Sequence, residues 1–341
     1  MKAKVTKTYN ILLRILILLG TYGFLYNKIL LGKDWQQEYN LFIQLLEKPG
    51  IKSLLATVAI LMFVNWGLES QKWRYMIGKI ERISFFRAFQ AVFTGCSISF
   101  FTPNRTGEYF GRVFIFDRAS HIDGILITIL GSMCQLFITV LIGSLSLLLF
   151  IPQFVNGDSF FSGYFYYGFI FLVIVLDALL LFLFLNARFL AVLREKLFRS
   201  KLKKFRKHLA VFADFRIRDM AFVILLSFLR YIIFTCQFLI LLRLFSVPVP
   251  IFDAVIITSM VFFILSIVPT ITFTELGIRD SASVYFFGLY FSHAGGMTDS
   301  VMIGVLSAST LLWIINLAAP AVIGTIFVFR LKFFRKNSRH E

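Results

Sequence analysis

Residues 97–112 read SISFFTPNRTGEYFGR, and residues 266–279 read SIVPTITFTELGIR. Each stretch ends an apolar run at a proline and opens into threonine, glutamate, glycine and arginine. The acid and the base stand four apart in both: Glu108 and Arg112, then Glu275 and Arg279. Backbone groups freed at a helix break, and charges beside it, are tolerated within a bilayer only inside protein or around a watery cavity. Interrupted segments at corresponding places in two halves of a chain point to a transporter's binding site. The two stretches therefore predict a helical membrane protein whose broken segments carry its function.

Composition agrees with that class. Of 341 residues, 58% are hydrophobic and 16% charged, with 43 Phe, and the mean hydropathy is +0.82. Such a chain is a polytopic all-α membrane protein, not a soluble domain. Lys and Arg number 35 against 18 Asp and Glu, a net charge of +17. In a membrane protein this excess marks cytoplasmic loops and contact with anionic lipid. The basic residues sit between spans and no nucleic-acid motif accompanies them, so no nucleic-acid partner is expected. Cys96, Cys134 and Cys236 all lie in apolar segments without metal-ligand spacing and read as small core residues.

Apolar runs of membrane length predict six full spans, at residues 11–31, 53–69, 124–151, 163–186, 220–245 and 301–329. The first follows a basic start without a small-residue cleavage site and is expected to be a retained span. Two shorter apolar pieces, 86–101 and 251–268, end at the two motifs. Basic residues crowd the N-terminus, residues 71–87, the loop 188–219 and the C-terminus, whereas 152–162, 246–250 and 292–300 hold no Lys or Arg. Excess positive charge faces the cytoplasm, so both termini and the basic loop 188–219 are placed there, in a cell (inner) membrane. Each broken piece must then enter and return on one side. The expectation is two opposed re-entrant hairpins, about 86–123 and 251–292, meeting tip to tip within a single domain spanning 1–341. The shared pattern suggests an inverted repeat; two chance clusters are the alternative.

At the first motif, Pro103 or Gly107 marks the break, and Thr102 or Thr106 caps the returning helix. At the second, Pro269 marks the break and Thr272-x-x-Glu275 has capping-box spacing. Half-helices starting near mid-membrane favour an anionic group at their N-termini. Arg105, Arg112 and Arg279 can add bidentate phosphate contacts. In the plainer alternative, Glu108–Arg112 and Glu275–Arg279 bond internally at i, i+4 and neutralise themselves. Arg105 has only Glu108 at helical spacing, which favours it as the ligand-facing charge.

Asp177 and Arg230 each lie about ten residues into neighbouring spans, roughly 15 Å deep. Charges there demand partners, so a structural ion pair between them is expected, with Gln237 facing the same region. Asn65 and Asn316 are expected to bond between helices, and Pro320 to kink the last span. Leu202, Phe205, Leu209 and Phe212 recur at helical spacing among lysines and arginines, as in a helix lying on the inner leaflet. It anchors the chain or, alternatively, recruits anionic lipid. The four histidines are scattered, and neither metal motif, nucleophile elbow, P-loop nor dinucleotide fingerprint occurs. Neither a metal nor a cofactor is expected, and no enzyme activity.

The KWR at residues 72–74, the first motif and TFTELGIRD at 272–280 together resemble the lysylphosphatidylglycerol synthase transmembrane-region family, a flippase-like family. The resemblance runs from the first span to the last. The family's P-x-R-x-G-E is matched by Pro103, Arg105, Gly107 and Glu108. Its second pattern, P-x-x-x-G-G-x-G-x-R-E, keeps Pro269, Gly277 and Arg279, but Thr274 and Glu275 replace a glycine pair and Asp280 the final glutamate. The resemblance implies a membrane region that flips a lipid made by a separate soluble transferase domain. That domain needs a few hundred polar residues, none of which remain beside these spans, so no lysyl transferase activity is expected. Pro103, Arg105, Thr106, Gly107, Glu108, Arg112, Pro269, Thr272, Glu275, Gly277 and Arg279 are the candidate substrate-binding residues. The expected function is flipping of an anionic or phosphate-bearing lipid. A membrane enzyme moving a group between lipid carriers, or a non-catalytic partner of a lipid biosynthesis enzyme, are the alternatives.

Overall fold

Without water to satisfy backbone amides, apolar segments of this length must close their hydrogen bonds internally, and every long apolar run among the described residues is helical. The computed structural model of the protein describes residues 49–100, 102, 105–154, 164–186, 208–268, 272–293 and 295–328. In chain order the helices are α1 (Ile51–Ile77), α2 (Phe85–Ser99), α3 (Gly107–Val113), α4 (His121–Phe154), α5 (Tyr164–Leu185) and α6 (Ile217–Leu244). Then come α7 (Ile251–Ile267), α8 (Thr272–His293), α9 (Asp299–Trp313) and α10 (Ala319–Val328). A π-helical turn, Ile314–Ala318, joins the last two. It ends two residues before Pro320, whose ring removes a helix hydrogen bond, so the helix is interrupted there by a π-bulge.

Among the described residues, α1, α4, α5, α6 and the run Asp299–Phe327 are long and apolar enough to cross a membrane. The chain is a polytopic helical membrane protein. The expected span at 11–31 lies outside the described residues, as does nearly all of the basic loop 188–219. The described end of that loop is a 3-10 turn, Leu209–Asp214, in which Val211 and Phe212 join the protein core. Phe212 therefore packs on protein and not on the leaflet surface.

Helix α1 continues eight residues beyond the predicted end at Glu69. Its charged residues Glu69 and Lys72 are buried and partnered inside the protein, so the run of apolar residues underestimates the helix. α1 and α6 pack antiparallel. Tyr75 donates to Asp219 at 2.5 Å, Arg230 meets Glu69 midway, and Gln237 donates to the Val58 carbonyl at 2.9 Å.

The first break is a hairpin. Its two arms cross at glycines: a Cβ on Gly111 would fall 2.7 Å from the Gly95 Cα, a separation that only hydrogen side chains allow. Its base is tied on one side. Arg87, at the start of α2, donates to the Ile115 carbonyl and to Asp117, both at 2.8 Å. Glu81 accepts from the amides of Asp117, Arg118 and Ala119 at 3.1, 3.0 and 2.7 Å. α2 is covered by α10, where Ser97 donates to the Ala321 carbonyl at 2.5 Å.

Helix α4 relates the two hairpins. Its first residue, His121, lies 6.0 Å from Phe114 at the base of the first, the rings tilted. Its last, Phe154, lies 5.5 Å from Tyr290 and 6.3 Å from His293, at the far end of α8. Thirty-four residues at 1.5 Å rise separate these ends by about 51 Å. The α2–α3 pair therefore opens at one end of α4 and the α7–α8 pair ends at the other. Helix, broken pair, helix is the order in both halves of the described chain.

Candidate functional site

Both breaks meet at the middle of α4. A cavity of about 520 Å³ is walled by Arg105, Glu108 and Tyr109 from the first break and by Ser266, Ile267, Val268, Glu275 and Arg279 from the second. Ser132, Gln135, Leu136 and Thr139 of α4 close one side, α1 adds Trp66, Glu69 and Lys72, and α6 adds Arg230, Tyr231 and Phe234. Asn316 of the π turn also reaches the wall, in keeping with the habit of π-bulges to sit at functional sites.

The hub is Glu69. Its Oε1 accepts from Arg112 at 2.7 Å. Its Oε2 meets the Lys72 ammonium at 2.7 Å and the Arg230 guanidinium. Arg112 bridges onward to Glu108, so one arginine joins Glu69 of α1 to Glu108 of its own helix. Arg230 is held further by Asn65, which accepts from Nε at 2.9 Å, by Gln135 at 3.2 Å, and by the face of Trp66 at 5.6 Å. Lys72 also donates to the Gly131 carbonyl at 3.3 Å. Burial strengthens these contacts, because neither partner keeps its water.

Arg105 is the loosest cation of the group. Its guanidinium lies 3.9 Å from Glu108, and its side chain is 33% exposed, against 2% for Arg112. Its backbone sits at φ 55°, a left-handed conformation that a non-glycine residue adopts at a cost. Arg105 Nε and Arg279 Nε and Nη1 are buried without a hydrogen-bond partner among the described residues. At the second break, Arg279 and Glu275 pair at 2.8 Å.

The predicted site residues separate clearly on this geometry. Arg105, Glu108, Glu275 and Arg279 reach the cavity wall, and Arg112 braces it from behind. Both i, i+4 pairs form, and Arg112 also binds Glu69. Thr106 holds the N-cap position of α3, but the Gly107 amide bonds to Thr102 Oγ1 at 2.7 Å. Gly107 is wedged, since a Cβ there would lie 2.7 Å from the Ile98 carbonyl, whereas nothing lies within 4 Å of the same atom on Gly277. Pro103, Pro269 and the Thr272 side chain lie outside the described residues.

The expected Asp177–Arg230 ion pair does not form. Asp177 accepts from Ser144 of α4 at 2.7 Å, while Arg230 turns to Glu69. α5 stands at the edge of the bundle, and Arg230 faces its interior. Gln237 bonds α1 and is absent from the cavity wall. Asn65 bonds between helices as expected, whereas Asn316 donates to Leu312 of its own helix at 3.2 Å. Glu69, Lys72 and Gln135 were not singled out by sequence as site residues. The available signal was a Glu-x-x-Lys pair at helical spacing where a span was drawn to end.

Residues 11–319 match the family described as "Lysylphosphatidylglycerol synthase TM region", and the chain belongs to that family, which ties it to a lipid-related role in the membrane. No curated protein and no solved structure gives a significant match.

Proposed function

We propose that this member of the lysylphosphatidylglycerol synthase TM-region family translocates an anionic or phosphate-bearing lipid between leaflets, with the headgroup held in the cavity between the two breaks. One observation carries this: Glu69 and Glu108 face four cations, Lys72, Arg105, Arg112 and Arg230. Uncompensated buried cations are costly, so the site favours an anion. The cavity also suits a lipid. Leu136 and Ile267 line it and are 45% and 58% exposed on the apolar exterior, which offers acyl chains a way out beside a polar headgroup. In this reading the broken pairs are re-entrant from opposite faces of a cell membrane with both termini cytoplasmic. Anionic lipids are the partners, and translocation needs no catalytic group.

The test is flipping in reconstituted vesicles, read as loss of a headgroup-labelled anionic phospholipid from chemical quenching. Arg105→Gln and Glu108→Gln should abolish protein-dependent flipping while the protein still elutes as a single folded species. Unchanged flipping overturns the assignment. A product formed from two lipid carriers in detergent, where there are no leaflets, would replace translocation with group transfer.

A further inference from the structure

The excess charge in the cavity has a magnitude as well as a sign. On the side of the first break, two carboxylates meet four cations, an excess of two positive charges among the described residues. On the side of the second break, Glu275 and Arg279 cancel. Asp280, next along, is not a wall residue and accepts from Thr310 at 3.4 Å. Donors are also in surplus, with Arg105 Nε and both free nitrogens of Arg279 buried and unpartnered among the described residues. Every carboxylate on the wall among the described residues, by contrast, already binds an arginine or lysine.

Resting on the lipid reading above, we propose that the cavity selects a doubly charged phosphate group, such as a lipid phosphomonoester, over singly charged phosphodiester headgroups and over headgroups bearing an amine. Two charges neutralise the excess of two. A diester leaves one cation unbalanced, and an ammonium finds no free carboxylate to receive it. Guanidinium groups suit the task because their forked N–H groups meet two phosphate oxygens at once. Arg105 is the cation best placed to adjust, being the most exposed and least tightly held.

Binding of short-chain lipids to the purified protein in detergent tests this. At pH 8, dioctanoyl phosphatidic acid should bind about tenfold or more tighter than dioctanoyl phosphatidylglycerol, the effect of one further charge-assisted contact. Lysyl-phosphatidylglycerol should bind weakest. Lowering the pH to 5 protonates the monoester, whose second pKa lies near 6, and should bring its affinity to that of the diester. Arg105→Gln removes one excess charge and should narrow the monoester preference. Equal affinity for the two lipids at pH 8, or tighter binding of the lysyl lipid, overturns the proposal. Inorganic phosphate should compete only weakly; phosphate binding as tight as the monoester lipid would overturn a lipid-borne source. A monoester preference without any flipping would reject translocation alone, and flipping without the preference would reject this inference alone.

Discussion

Arg112 of α3 and Glu69 of α1 form a buried 2.7 Å ion pair that fixes the short helix of the first break against a full-length span. α3 already packs closely on α2, and the pair adds a charged tie from it to α1. Because Glu69 also holds Lys72 and Arg230, α1, α3 and α6 share a single counter-ion. An anion entering the cavity would compete for the same cations, so binding and hairpin position are linked through this carboxylate.

Removing that counter-ion should be severe. Among the described residues, Glu69→Gln leaves Glu108 as the one carboxylate for four cations, of which Lys72, Arg112 and Arg230 are buried, and breaking a buried pair costs about 3–5 kcal/mol. Thermal unfolding in detergent should show a large loss of stability, and a saturating phosphate-bearing lipid should restore part of it. A wild-type melting temperature in Glu69→Gln would show that the network does not support the fold.

Most of the architecture was legible because apolar length alone dictates helix in a bilayer, and the two proline breaks interrupt that signal visibly. Loop charge gives the expectation that the two broken pieces open on opposite sides; residues of both do line one cavity. The hub was not legible. Glu69 falls where an apolar run fades, and the sequence does not show that α1 continues past it to Ile77. The partner of Arg230 was misjudged for a related reason: depth in the membrane was inferred from position in a span, but helix neighbours and facing sides are set by packing. Asp177 stands on α5, where Ser144 of α4 is its partner.

That correction predicts independence. An asparagine at 177 keeps an acceptor for the Ser144 hydroxyl and removes the cost of burying a charge. Asp177→Asn should therefore leave the melting temperature unchanged or raise it. Combined with Arg230→Gln, which removes one of the three cations that bind Glu69, the effects should add within about 0.5 kcal/mol, as for separate networks. A coupling energy well above that would reinstate a link between the two residues.

The two motif glycines should respond in opposite ways. Gly107→Ala drives a Cβ to 2.7 Å from the Ile98 carbonyl, and such overpacking costs about 1–3 kcal/mol. Gly277→Ala meets nothing within 4 Å and replaces a poor helix former inside α8, worth up to about 1 kcal/mol of added stability. Melting temperatures of the two variants decide the matter, and destabilisation by Gly277→Ala would mean that its backbone is not helical as described.

The base of the first hairpin should loosen in acid. Burial of the Glu81 carboxyl pushes its pKa up, but the amides of Ala119, Arg118 and Asp117 outweigh this and hold it below the ordinary value of 4.5. A folded-state value lowered in this way adds stability that is complete above the ordinary value. The contribution is lost as pH falls through the lowered one. Limited proteolysis of residues 114–120 should therefore accelerate below about pH 4 in the wild type. Glu81→Gln, which lacks the charge at every pH, should be cleaved faster at pH 7 and show a flatter acid dependence. Identical pH profiles for the two proteins would remove Glu81 as the clasp of the hairpin.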